Sequence, residues 1–182
     1  MEMFIWEYNT YRYVLGTLGK SPLIFIGLNP STATPKNPDH TYCRLNKILE
    51  NNKHFDSLIL LNLYPLVATH TTDLPKKKNA EHYNKNISCI KQVLEECHKE
   101  NGELNILLGW GSGVTKRKFF QAILEKIKGS LKDYKSSSKF YYVESENKKY
   151  PLHPIRYKKN SNPLDSEKQF SEISKFFNIK EA

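Results

Sequence analysis

The sequence has little cysteine, little glycine and no long apolar run. Its three cysteines, Cys43, Cys89 and Cys97, form neither a Cys-x-x-Cys motif nor a cluster with the spacing of zinc ligands. No apolar run approaches the ~20 residues that cross a bilayer. A disulfide-stapled miniprotein and a membrane-spanning helix are therefore excluded. We predict three reduced thiols and expect neither a metal nor another cofactor.

The composition is that of an ordinary globular protein, with 38% hydrophobic and 26% charged residues. A length of 182 residues predicts a single domain that spans residues 1–182. The first eight residues carry neither the basic region nor the small-residue cleavage site of a signal peptide. We therefore expect a cytoplasmic protein without a membrane partner, and we expect it to be a monomer.

Positive charge is concentrated in the second part of the chain. The net charge is +9, and residues 1–75 contribute none of it, because they hold six basic and six acidic residues. Residues 147–160 are the densest basic stretch, with five positive charges, two tyrosines and no acidic residue. Such a segment suits phosphate contacts and base stacking. The alternative is a solvated surface, because a lysine-rich chain is also what an AT-rich genome produces.

Apolar runs alternate with amphipathic segments along the chain. The predicted strands are residues 12–17, 22–28, 57–62, 104–109 and 139–143. The predicted helices are residues 41–53, 80–100, 115–128 and 165–177. This alternation predicts an α/β fold: a three-layer α/β/α sandwich with a short, mainly parallel central sheet. Ligands bind such sheets beyond the carboxyl ends of the strands, so the residues that follow each strand are the informative ones.

The segment Gly27-Leu-Asn-Pro-Ser-Thr-Ala33 follows the first buried strand. The carboxamide of Asn29 can accept from and donate to a ligand or a water there. Pro30 fixes the turn that Ser31 and Thr32 can cap, and Leu28 precedes the asparagine. The alternative is that Asn29 only satisfies its own turn.

Two further candidate regions lie at the start of the first helix and at the end of the second buried strand. Asp39 or Thr41 can cap the helix, and Arg44 either holds Asp39 or reaches a phosphate. Asn62 ends the second buried strand, and Thr69 closes the segment that follows it.

The third and fourth strand ends carry a glycine-rich turn and a histidine. Gly109-Trp-Gly-Ser-Gly113 resembles a general anion-binding turn, but it matches neither the Walker loop nor the Rossmann fingerprint. Trp110, which precedes Gly111, either stacks on a base or is buried. His153, which precedes Pro154, is either structural or donates a hydrogen bond to developing negative charge.

These motifs together resemble a bacterial family known as domain of unknown function 1643. The matching pieces are Arg12-Tyr-Val-Leu, Leu28-Asn-Pro-Ser-Thr-Ala33, Asp39-x-Thr-x-x-Arg44, Asn62-Leu-x-Pro-Leu-x-Ala-Thr69, Trp110-Gly111 and His153-Pro154. They extend in order over about residues 11 to 157.

The order of the motifs also resembles the uracil-DNA glycosylase superfamily. That resemblance implies that Asn29 positions the water that attacks the sugar C1′ and that His153 stabilises the departing base. Asn62 and Trp110-Gly111 are the other counterparts. Two departures are visible: Ile-Arg-Tyr follows His153-Pro154 in place of Ser-Pro-Leu-Ser, and no aspartate accompanies Asn29.

Three functions are consistent with this sequence. The first is an N-glycosidic hydrolase that acts on a flipped, damaged or modified base in nucleic acid, with DNA favoured over RNA. The second is a hydrolase or transferase of free nucleosides or nucleotides, and the third is a catalytically silent nucleic-acid binder. For the first and third, the predicted contacts to nucleic acid are Lys148, Lys149, Tyr150, Arg156, Tyr157, Lys158 and Lys159.

Overall fold

A computed structural model describes residues 2–7, 10–34, 36–158 and 161–178 of the chain, and for residues 2–7 it describes the backbone only. The strands are β1 (Glu2–Glu7), β2 (Tyr11–Thr17), β3 (Pro22–Gly27), β4 (Ser57–Asn62), β5 (Leu104–Leu108) and β6 (Ser138–Tyr141). The α-helices are α1 (His40–Glu50), α2 (Ala80–Asn101), α3 (Phe119–Lys132) and α4 (Phe170–Ile173). Short 3₁₀ turns cover residues 71–73, 112–116, 154–156, 163–165 and 174–177.

The six strands form one sheet in the order β1-β2-β4-β3-β5-β6. The four strands from β4 to β6 in this order are parallel, whereas β1 pairs with β2 and β2 pairs with β4 in antiparallel fashion. The α/β class is therefore confirmed, but the sheet is mixed rather than mainly parallel. The apolar pattern of residues 12–17 predicts a strand without indicating its direction, and β1 was not predicted. The short connection between β1 and β2 suits an antiparallel pair.

Apolar side chains project from both faces of the sheet, because alternate residues of a strand point to opposite faces. On one face, Ile24 and Ile26 of β3 belong to a buried cluster that includes residues of α2 and α3. On the other face, Leu23 and Phe25 belong to a second cluster with Leu45 of α1. β3 is thus buried on both faces, which is what its uninterrupted apolar sequence predicts.

The third and fourth predicted helices differ most from the structure, because hydrogen bonds to residues distant in the sequence replace helical ones. α3 begins at Phe119, not at residue 115, since the extended Arg117 directs its guanidinium to carbonyl groups of the 72–75 loop. The predicted helix over residues 165–177 is broken into short turns. Lys168 exchanges two backbone hydrogen bonds with Phe140 of β6, which takes this part of the chain away from helical geometry.

Two of the three cysteines are buried, and the third is exposed at the surface. Cys43 is exposed, whereas Cys89 and Cys97 are buried on α2. Burial raises the pKa of the Cys97 thiol to about 12, so this sulfur is protonated at neutral pH and is a poor nucleophile. Within the described ranges, no helix combines the length and the hydropathy needed to cross a membrane.

Candidate active site

A cleft of about 1420 Å³ opens at the carboxyl edge of the parallel strands. It is formed by the segments that follow β3, β4 and β5, by the start of α1, and by the 145–156 segment. These segments meet because the carboxyl ends of neighbouring parallel strands share one edge of the sheet. The volume exceeds the 300–1,000 Å³ that is usual for a pocket that takes one small molecule.

Most of the predicted site residues lie around this cleft. Those that line it are Leu28, Asn29, Ser31, Thr32, Asp39, Thr41, Asn62, Thr69, Trp110, Gly111, Tyr150, His153 and Arg156. Those that do not are Pro30, Arg44, Lys148, Lys149, Tyr157 and Lys158. Lys159 lies outside the described residues. Asn29, Asn62 and His153 come from three separate segments and share one cavity.

The carboxamide of Asn29 is held in one orientation by the backbone. Its Nδ2 donates to the carbonyl oxygens of Pro30 (3.0 Å) and Ala68 (2.7 Å). Only the amide nitrogen can donate to two carbonyl groups, so these bonds determine which end of the side chain is which. Oδ1 accepts no hydrogen bond from the described residues and remains available to a group in the cleft. The nitrogen therefore serves the turn, and the oxygen is free to act on a ligand.

Asn62 supplies a buried donor at the floor of the cleft. The residue is 3% exposed, and its Nδ2 has no hydrogen-bond partner among the described residues. The backbone around it is firmly held, because Nδ2 of Asn86 donates to the carbonyl groups of Asn62 and Leu63. A buried donor without a partner costs roughly 1–3 kcal/mol, so it indicates a position where a ligand or a water accepts a hydrogen bond.

His153 is a neutral imidazole at neutral pH. Burial lowers its pKa to about 4; the charge of Asp39 opposes this effect and that of Arg156 adds to it. Nδ1 accepts a long hydrogen bond (3.4 Å) from the backbone N–H of Ile155. This bond assigns the proton to Nε2, which makes Nε2 a neutral donor. Gly111 packs closely against the histidine: a Cβ at position 111 would lie 3.2 Å from Cβ of His153.

Asp39 brings a carboxylate into the cleft from the start of α1. Its Oδ1 caps the helix by accepting from the backbone N–H of Tyr42 (2.8 Å), which confirms its predicted role as the N-cap. The carboxylate is close enough to Arg12 and His153 to raise the pKa of each, against the larger lowering by burial. The cleft thus has a negative group although the motif from Gly27 to Ala33 contains no aspartate.

Trp110 and Tyr157 were both considered for stacking on a base, and both are buried; for Trp110, burial is one of the two alternatives that the sequence left open. Trp110 is 1% exposed and packs edge-on against Phe177, although its Nε1 has no partner among the described residues. Tyr157 is also buried, and its ring belongs to the apolar cluster under α1. Tyr150 is half-buried at the wall of the cleft. Of the three tyrosine and tryptophan candidates, Tyr150 is the one whose ring a ligand can reach.

The basic segment contributes Tyr150, His153 and Arg156 to the cleft, whereas its described lysines, Lys148, Lys149 and Lys158, do not line it. Lys148 and Lys149 lie exposed in a turn that is closed by hydrogen bonds among Ser145, Asn147 and Tyr150. Arg156 and Lys158 are also exposed. Arg44 donates to the carbonyl oxygen of Lys158 at 3.4 Å and therefore supports this segment instead of reaching into the cavity.

Arg12, Phe25 and Ile155 line the cleft and were not among the predicted site residues. Arg12 opens β2, which runs antiparallel to β4, so the beginning of β2 lies at the same edge as the end of β4. The predicted site drew on residues that follow strands and on the start of the first helix, and not on residues near the start of a strand. Ile155 is 57% exposed, which is unusual for a large apolar side chain, and its place directly after His153-Pro154 was the available signal.

The fold and the site define an α/β protein with a large cleft, lined by polar and apolar side chains, at the carboxyl edge of its sheet. No group of three or more potential metal-ligating side chains occurs in the part of the chain that the structure describes. The chain belongs to the family described as "Protein of unknown function (DUF1643)", whose model matches residues 12–155. The matched region contains every residue of the cleft except Arg156. No curated protein matches the chain.

Proposed function

We propose that this protein is an N-glycosidic hydrolase that acts on a flipped, damaged or modified base in nucleic acid. One observation carries the proposal: Asn29, Asn62 and His153 come from three segments and line one cleft. They bring a free acceptor, a free buried donor and a neutral imidazole to the same cavity. We further propose a three-layer fold like that of the uracil-DNA glycosylases, since apolar clusters cover both faces of the sheet.

The proposed reaction uses water as the nucleophile and requires no metal. Oδ1 of Asn29 orients a water, whose oxygen attacks the sugar C1′ while the bond from C1′ to the base nitrogen breaks. The electron pair of that bond moves onto the base, and Nε2–H of His153 donates to the base oxygen where negative charge collects. The water's proton passes to the carboxylate of Asp39. A neutral histidine can fill this role, because Nε2–H remains a hydrogen-bond donor when the ring carries no charge.

The base-binding part of the cleft lies against β3 and β4. The donor Nδ2 of Asn62 would meet an acceptor on the flipped base, and Tyr150 would stack on the ring from the side. The floor is formed by Phe25, which packs closely against Gly27 and Gly109; a Cβ at either glycine would lie within 3 Å of the Phe25 ring. These glycines let the aromatic ring approach the strand ends.

The exposed cations of the basic segment would hold the phosphates of the nucleic acid. Replacing Lys148, Lys149, Lys158 and Lys159 together by glutamine should weaken binding to single-stranded DNA. For every phosphate that the variant no longer binds, the slope of log affinity against log salt should fall by roughly 0.7. A matched variant with Lys91, Lys99, Lys126 and Lys132 of α2 and α3 changed to glutamine has the same formal charge removed away from the cleft. Equal slopes for the two variants would mean that the predicted segment is only a solvated surface.

A second candidate is a hydrolase or transferase of free nucleosides or nucleotides in the same cleft. The buried guanidinium of Arg12 favours it, because an anion-binding group inside a cavity suits a small charged substrate. A third candidate, a silent binder, would use the cleft without turnover. The three are separated by incubating the protein with oligonucleotides that carry a panel of modified bases and, separately, with the free nucleosides and nucleotides. Mass spectrometry then detects the released base.

Each outcome of this experiment supports one candidate. Base release from oligonucleotides with an abasic site left behind supports the proposed function. Release from free nucleosides or nucleotides alone supports the second candidate, and salt-sensitive binding without release supports the third.

A further inference from the structure

Arg12 is a buried cation that faces the cleft. It is 3% exposed, yet its side chain lines the cavity together with Asn62 and Asp39. Its position follows from the antiparallel direction of β2, which brings the first residues of this strand beside the end of β4. The backbone N–H of Arg12 donates to the carbonyl oxygen of Pro65 (2.9 Å), which anchors the residue at this edge.

The guanidinium is only partly compensated by the protein. Nη1 donates to the carbonyl oxygen of Ala33 at 2.8 Å, and Nε has no partner in the described part of the chain. Within that part, no carboxylate oxygen lies within 4.0 Å of the guanidinium, and Asp39 acts on it from farther away. Burial lowers the pKa of Arg12 to about 10, so the group remains charged at neutral pH.

A buried charge is normally paired, because removing it from water costs several kcal/mol. Here the fold retains a charged guanidinium whose remaining donors have neither a carboxylate nor a carbonyl partner among the described residues. A planar fork of N–H donors matches the oxygens of a phosphate in a bidentate manner. An anion in the cleft would supply the missing partner.

We infer that Arg12 forms an anion subsite inside the cleft and that the ligand of this protein carries a terminal phosphate there. The burial of Arg12 favours a phosphate at the end of a molecule, since a phosphodiester must continue in both directions and needs an open groove. The ligand class is therefore a nucleoside monophosphate or a strand with a phosphorylated end. The inference rests on the proposed function for the choice of nucleotides, but not for turnover.

The test compares ligands that differ only in the phosphate. Binding of dAMP, dCMP, dGMP, dTMP and dUMP is measured by calorimetry beside the five corresponding nucleosides. The second arm compares ten-nucleotide oligothymidylates with and without a 5′-phosphate. The third arm compares the same oligothymidylates with and without a 3′-phosphate. We expect at least one phosphorylated ligand to bind between tenfold and a hundredfold more tightly than its unphosphorylated partner. A preference for the phosphorylated ligand in the nucleotide arm identifies a free nucleotide as the ligand class. The same preference in an oligonucleotide arm identifies a strand with a phosphorylated end.

Variants then assign the preference to Arg12. Arg12→Gln should abolish the difference between phosphorylated and unphosphorylated ligands, whereas Arg12→Lys should keep part of it. Lys99→Gln is the matched control, because it removes one positive charge from an exposed position of α2 that does not line the cleft, and it should leave the difference intact. Circular dichroism checks that each variant is folded.

Two results would overturn the inference. One is equal affinity of the unmodified protein for every phosphorylated and unphosphorylated pair, which needs no variant. The other is a phosphate preference that survives in folded Arg12→Gln. Neither result depends on base release, so failure of the anion subsite is distinguishable from failure of the hydrolase proposal.

Discussion

Replacing His153 by glutamine should remove a large pH dependence from the stability of the fold. Burial lowers the pKa of His153 from 6.5 to about 4. Between these values the unfolded chain binds a proton that the folded chain does not, so the free energy of unfolding falls as the pH is lowered. The slope is about 1.4 kcal/mol per pH unit, and the loss approaches about 3 kcal/mol at pH 4. Above about pH 7.5 the imidazole is almost entirely neutral in both states and contributes almost no slope.

The assay is urea unfolding of the unmodified protein and of His153→Gln at pH 7.5 and pH 4.5. Carboxylates also titrate over this range, but they are common to both proteins and cancel in the difference. The unmodified protein should lose about 2.5 kcal/mol more than the variant between the two pH values. A difference between the two proteins that is constant over this range would refute the reasoning, because it would mean that His153 gains its proton as readily in the folded chain as in the unfolded chain.

Two pairs of variants test other parts of the site by urea unfolding. Asn62→Ala should change the free energy of unfolding by less than about 1 kcal/mol, because the donor that it removes has no partner among the described residues. Asn86→Ala removes two hydrogen bonds and should lower the free energy of unfolding by about 2 kcal/mol. Equal losses would contradict the assignment of a free donor. Gly111→Ala should cost about 1–2 kcal/mol, because the residue has φ +66° and abuts the histidine. Gly129→Ala in α3, where a Cβ meets nothing within 4 Å, should instead stabilise the protein by about 1 kcal/mol.

The sequence predicted the strands that are buried on both faces, because apolar runs of six or seven residues have the length of such a strand and are too short for a typical helix. The run from residue 57 to 62 coincides with β4, and that from 22 to 28 exceeds β3 by one residue. The sequence could not predict whether neighbouring strands run parallel or antiparallel. The pairing of β2 with β4 depends on contacts between distant residues, and so does the pairing of Lys168 with Phe140 that breaks the last predicted helix.

The site was partly predictable for the same physical reason. The rule that parallel strands end at one edge placed Asn29 and His153 together without any knowledge of their contacts. The sequence did not decide between burial and stacking for Trp110, which is buried, since an aromatic ring after a strand can face either the core or the ligand. Arg12 was missed as a site residue because an antiparallel strand contributes its first residues, not its last, to that edge.

The proposed role of Asn29 in base release is tested by comparing the rate of the unmodified protein with that of Asn29→Ala. The substrate is whichever modified oligonucleotide releases its base in the panel, and rates are measured under single-turnover conditions. The account predicts release by the unmodified protein and a loss on the order of 100-fold in Asn29→Ala. The matched control Asn84→Ala, which removes an exposed carboxamide of α2, should retain the full rate. No release from any oligonucleotide, or equal rates for Asn29→Ala and Asn84→Ala, would contradict the account.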